Sequence, residues 1–171
     1  MLIDKQTSVN QLDPGKLLAD GIIYINTNQW LLAYSAFAYL NQQTKNKSVV
    51  LLYNTALCYF SAKEYSKAIA MLGEAQMKIA TPSVLQNATN NLPSILLTDE
   101  YDNSNYRLAL NETAVDLNTN IIKLRIRRFL VDINLLLENW QEVIRLSALP
   151  EMDKCKNVQE AVAMAKSKTN T

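Results

Sequence analysis

Laid on itself at an offset of 35 residues, the chain repeats: DGIIYINTNQWLLAYSAFAYL (20–40) aligns without a gap on TALCYFSAKEYSKAIAMLGEA (55–75). Gly21 then matches Ala56, Tyr24 matches Tyr59, Trp30 matches Tyr65, Ala33 matches Ala68 and Phe37 matches Leu72. A fixed period of this length marks an array of supersecondary units, none of which can bury its apolar face alone. Within each unit the spacing is helical, since Leu17, Gly21 and Tyr24 fall at i, i+4 and i+7, as do Leu52, Ala56 and Tyr59. Gly21 and Ala56 would face Ala33 and Ala68 across a short turn, where small residues let two helix backbones come close.

Composition supports helices. Three glycines and four prolines in 171 residues leave little for a turn-rich β architecture, and 49% hydrophobic against 19% charged residues argues for a folded core. The length suits one domain.

The segment YNTALCYFSAKEYSKAI resembles the tetratricopeptide repeat, whose pattern sets a large apolar residue, a Leu-Gly pair, Tyr, Ala and Phe at these intervals. Leu17 and Leu52 stand where the family opens with an aromatic residue, and Asp20 and Thr55 where it has leucine. The resemblance implies an all-α, TPR-like α-solenoid of antiparallel helical hairpins. Repeat 1 is expected over 14–45 and repeat 2 over 48–82. A degenerate third hairpin over 119–150 would match Trp140 to Tyr65, at 75 residues instead of about 70.

Capping signals agree with these bounds. Asp13-Pro14 and Ser48 mark helix starts, and Pro82, Pro93 and Pro150 mark stops. Asn157 with Glu160 predicts a C-terminal capping helix over 157–168. Residues 83–118 break the pattern, with one arginine against five carboxylates. Tyr106, Leu110, Ala114 and Leu117 have helical spacing after Ser104, so an irregular insertion or degenerate hairpin is expected, with a polar loop near 98–105.

Function is expected to be non-catalytic. The chain has no histidine, no glycine-rich phosphate loop and no paired cysteines, so it lacks the usual general base and the common metal-ligand spacings, and no cofactor is expected. Cys58 and Cys155 read as free thiols, Cys58 as a small buried one. With no leader pattern in MLIDKQTSVNQLD and no long apolar run, a cytoplasmic protein without a membrane partner is expected. A net charge of +1 gives no field to recruit nucleic acid.

The resemblance places a ligand groove on the first helices of successive hairpins, lined here by Leu18, Ile22, Ile25 and Asn26, then Tyr53, Leu57, Phe60 and Ser61. Such an apolar groove would take a peptide or amphipathic helix of another protein, making the chain an adaptor or scaffold. Two alternatives stand beside it: residues 83–118 or the third hairpin cover the groove as ordinary core, or the same face joins two copies in a homodimer. A secondary basic patch, Lys123, Arg125, Arg127 and Arg128, could meet an acidic partner or a nucleic-acid backbone. The simpler expectation is a solvated helix face with Arg128 paired to Asp132.

Overall fold

A computed structural model describes residues 12–79 and 92–169. The readings of the N-terminal run and of Pro82 as a helix stop lie outside the described residues. Those described are helical, with no strand among them.

Asp13 accepts a hydrogen bond from Gly15 N at the start of α1 (Pro14–Asn26), with proline in the first turn as expected. Helix α2 (Trp30–Gln43) returns along it. Ser48 Oγ accepts from Leu51 N to open α3 (Val49–Ser61), which pairs with α4 (Tyr65–Ile79). Then come α5 (Ser94–Asp102), a single 3-10 turn (Asn105–Arg107), α6 (Glu112–Leu117), α7 (Thr119–Leu136), α8 (Trp140–Ser147) and, after a second 3-10 turn, α9 (Lys156–Thr169).

Three hairpins, α1–α2, α3–α4 and α7–α8, are joined by the same turn. Asn28, Lys63 and Glu138 each occupy the left-handed region, with φ of 59°, 61° and 55°. Around them the backbone bonds repeat: Asn28 N to Ile25 O and Gln29 N to Tyr24 O, Lys63 N to Phe60 O and Glu64 N to Tyr59 O, Glu138 N to Leu135 O and Asn139 N to Asn134 O. These are the paired bonds of a Schellman cap, which satisfies the last carbonyls of the first helix while reversing the chain. The turn residues lie at the same two offsets, 35 and 75, as Trp30, Tyr65 and Trp140. Register within the third hairpin is therefore intact, and its extra spacing falls between hairpins.

Asn tolerates the left-handed region, but Lys63 and Glu138 carry an unrelieved Cβ clash there. Lys63→Gly and Glu138→Gly are each expected to raise stability by about 1 kcal/mol, read as a higher urea midpoint at unchanged slope. An unchanged or lower midpoint would show the turn to be relaxed with a side chain.

Helices α3 and α7 form the centre, and Phe129 joins them: its ring lies 5.1 Å from that of Phe60 and 6.0 Å from that of Tyr53. Ala33, Ala56, Ala68 and Phe37 are fully buried. At Gly21 a Cβ would come within 2.7 Å of the Phe37 ring, so glycine there is what lets the α1–α2 pair close. Helix α9 lays Val158, Ala161 and Ala165 against α7 and α8, covering the end of the core.

Local expectations fail at four places. Helix α5 runs to Asp102 through residues expected to be a polar loop, and Pro93, expected to mark a helix stop, stands at the start of this helix. Tyr106 to Leu117 is not one helix, because the amide and carbonyl of Leu110 are both taken by the Asn54 side chain, and Asn111 then caps α6 through Ala114 N. Asn157 does not cap α9, which begins at Lys156; its side chain is turned to α7 instead. Arg128 does not pair with Asp132, whose partner is Arg107.

Candidate functional site

The repeat register puts Leu18, Tyr53 and Arg128 at one position, and Ile22, Leu57 and Asp132 at the next. On α1 this face remains partly accessible: Leu18 and Ile22 are half-buried, Asn26 is exposed, and only Ile25 is in the core. On α3 it is covered. Tyr53 and Leu57 are buried, Phe60 is half-buried, and Ser61 at the helix end is exposed. The expected groove is thus partly accessible at its first hairpin and filled beyond it, by residues 100–110 and by α7.

The filling is residues 100–110, held largely by their backbone. Asn54 Nδ2 donates to Leu110 O and Asn54 Oδ1 accepts from Leu110 N, both at 2.9 Å. Tyr53 Oη donates to Tyr106 O, and Arg128 donates to Glu100 O and, at 2.7 Å, to Asn103 O. The bonds to Glu100 O, Tyr106 O and Leu110 O are buried, where an acceptor without a partner is costly.

Side chains complete the grip. Arg125 makes a bidentate pair with the buried Glu100 carboxylate at 2.6 and 2.7 Å. Asp132 Oδ2 accepts from Tyr106 Oη at 2.6 Å and from Arg107 Nε at 3.0 Å, while its Oδ1 accepts from Asn157 Nδ2 at 2.8 Å. The Arg128 guanidinium lies 4.2 Å from the centre of the Tyr106 ring. Burial, reinforced by the Asp132 carboxylate, pushes the Tyr106 hydroxyl well above its ordinary pKa, so it stays a proton donor to Asp132.

The basic run is therefore divided between two roles. Arg125 and Arg128 are structural, one pairing a carboxylate and the other bridging carbonyls inside the protein. Lys123 and Arg127 are half-buried and line a cavity of about 390 Å³ with Tyr101, Leu97, Leu124 and Glu151. Burial pulls the Arg127 guanidinium below its usual pKa, and its Nε is enclosed without a hydrogen-bond partner. A continuous cationic strip for a nucleic-acid backbone is not what this helix presents.

Both cysteines are buried and free. Burial pushes the Cys58 thiol up to about 12 and the Cys155 thiol up to about 11. Since the thiolate is the reactive form, both are expected to react with an aromatic disulfide reagent at pH 8 at least about a hundredfold more slowly in the native protein than in denaturant. Rapid modification of the native chain would place one of them at the surface.

Sequence reading missed Asn54, Glu100, Tyr106, Asp132 and Asn157 as a set. One signal was present: Asn54 and Thr55 interrupt the otherwise apolar run VVLLYNTALCYF, and a polar side chain in a helix buried on all sides needs a partner. Asn54 found it in Leu110 and Thr55 in Leu51 O and Asn41.

Comparison with protein-family models, with curated proteins and with solved structures finds no match for this chain. Among the described residues, no helix is long and apolar enough to cross a membrane.

Proposed function

We propose that this chain is a TPR-like helical-repeat module, an α-solenoid of three hairpins closed by α9, that acts without catalysis as an adaptor for another protein. The observation that carries this reading is the shared Schellman turn, which gives the three hairpins one register and aligns the first-helix positions Leu18, Tyr53 and Arg128. Repetition of one unit builds an extended face, and such a face suits a peptide or helix better than a small molecule. Two separate, unbridged cysteines favour a reducing compartment such as the cytoplasm.

The part of the face available to a partner is that on α1, where Leu18 and Ile22 are half-buried and Asn26 is exposed, with Ile23 exposed beside them. Fully burying an exposed apolar side chain such as Ile23 is worth roughly 1.5–3 kcal/mol before association costs, and the half-buried Leu18 and Ile22 contribute correspondingly less. The test compares the parent with an Ile22→Glu, Asn26→Arg variant whose circular dichroism and melting temperature match it. Immobilised chains are exposed to lysate, and the captured protein is then purified and titrated. The variant is expected to bind it at least about tenfold more weakly, a loss of about 1.4 kcal/mol. Equal affinity would remove α1 as the site. Leu57→Glu is unsuitable for this purpose, because that residue is in the core.

A further inference from the structure

We propose that residues 100–110, which run from the last turn of α5 through the 3-10 turn to Leu110, are an intramolecular ligand: they occupy the face of the second and third hairpins as a peptide of a partner would, and they can be displaced by one. This rests on the adaptor reading above and names what regulates its site. The face positions that repeat along the hairpins, Tyr53 on α3 with Arg128 and Asp132 on α7, are the ones that grip this segment.

The interactions have the character of peptide recognition. Groove side chains hold backbone atoms at Glu100, Asn103, Tyr106 and Leu110, while two anchors, Tyr106 and Leu110, are 3% and 1% exposed. Between the anchors Leu108 faces outward at 53% exposed, while Arg107 reaches back to Asp132 and lies 5.6 Å from the centre of the Phe60 ring. Main-chain bonds supply affinity and spaced side-chain pockets supply selectivity in such recognition.

The flanking elements are weakly docked. In α5 the only buried residue is Glu100, which belongs to the gripped segment itself, and Ile95 and Leu96 are 76% and 58% exposed. Helix α6 has no buried residue. Leaving its seat takes the last turn of α5 with it, including the half-buried Tyr101 that donates to Glu151, but withdraws no buried residue beyond Glu100, Tyr106 and Leu110. A peptide bearing a carboxylate, a tyrosine and a leucine at the spacing of Glu100, Tyr106 and Leu110 would offer the vacated face the same hydrogen bonds and anchors. It shifts the equilibrium only by its own affinity for the opened face.

Two measurements on the full chain test this. In native hydrogen exchange, the amides of Asn105 to Leu110 are expected to be at least about tenfold less protected than those of Ile126 to Ile133, because a sub-global opening exposes them first. Equal protection would mean that the segment leaves only when the whole domain unfolds, and overturns the proposal. In the second, a fluorescent peptide of sequence DEYDNSNYRLALN is titrated against the parent and against a Tyr106→Ala, Leu110→Ala variant. The variant is expected to bind at least about tenfold more tightly, and adding Asn54→Ala should reverse the gain. No gain in a variant whose α3 and α7 amides remain protected also overturns it; if the variant unfolds, exchange in the parent decides.

The two readings fail separately. Equal protection together with partner loss in the Ile22→Glu, Asn26→Arg chain removes the intramolecular ligand alone. Peptide binding together with unchanged partner affinity removes the α1 site alone.

Discussion

Arg128→Ala is expected to destabilise the domain by about 3–5 kcal/mol, the cost of breaking a buried charged network by removing one member. The side chain is 1% exposed, and its guanidinium serves Glu100 O, Asn103 O and Asn157 Oδ1 while covering the Tyr106 ring. Alanine would leave three acceptors without their donor, and a cavity where the stem and head had been. Arg128→Met restores much of the volume but none of the donors, so it should fall between alanine and the parent. Urea denaturation followed by circular dichroism measures all three. A loss below about 1 kcal/mol for alanine would mean that water or a rearranged side chain satisfies the carbonyls.

Ala68→Glu is expected to abolish cooperative folding. Ala68 has no exposed surface and lies on α4, which pairs with α3, where Ala56 is equally buried. A glutamate there adds volume to a close-packed crossing and a carboxylate with no donor, and together these exceed the roughly 5–15 kcal/mol that stabilises an ordinary domain only if both act in full. A loss of more than about 4 kcal/mol is the lower bound of the expectation, which places this among the exceptional single substitutions. Two positions on, Ala70 is exposed, and Ala70→Glu should change stability by less than about 0.5 kcal/mol. A cooperative melt within a few degrees of the parent for Ala68→Glu would show the helix crossing to be assigned wrongly.

The hairpins were legible because their determinants are local. Offset matching located Trp30, Tyr65 and Trp140 at the three second-helix starts, and Asp13 and Ser48 at two first-helix starts, since a cap or a turn depends on residues a few positions apart. The left-handed turns escaped notice because Lys63 and Glu138 are residues that ordinarily avoid that conformation.

The path of residues 100–111 was not legible for a different reason. Tyr106, Leu110, Ala114 and Leu117 carry a true helical period, but a tertiary competitor, the amide of Asn54, takes both backbone groups of Leu110 and breaks the helix there. No spacing rule connects residues so far apart in sequence. The same distance hid the basic run's purpose: Arg125 and Arg128 look like a solvated face until Glu100 and Asn103 are brought beneath them. Of the expected groove positions, Ile25, Tyr53 and Leu57 are buried and Leu18, Ile22 and Phe60 half-buried; how far that face is covered depends on elements with no periodic signature.

The central place of α3 also bears on how the protein is made. Its pairing with α4 is local and can form as soon as both helices have been synthesised, whereas Tyr53 waits for Tyr106 and Phe129, encoded much later in the chain. During translation the first two hairpins therefore emerge with Tyr53 and the side of Phe60 that meets Phe129 uncovered, a transient sticky surface on a nascent chain. Slowing elongation across residues 80–130 would prolong that interval and give ribosome-associated chaperones, or another nascent copy, more time to reach it.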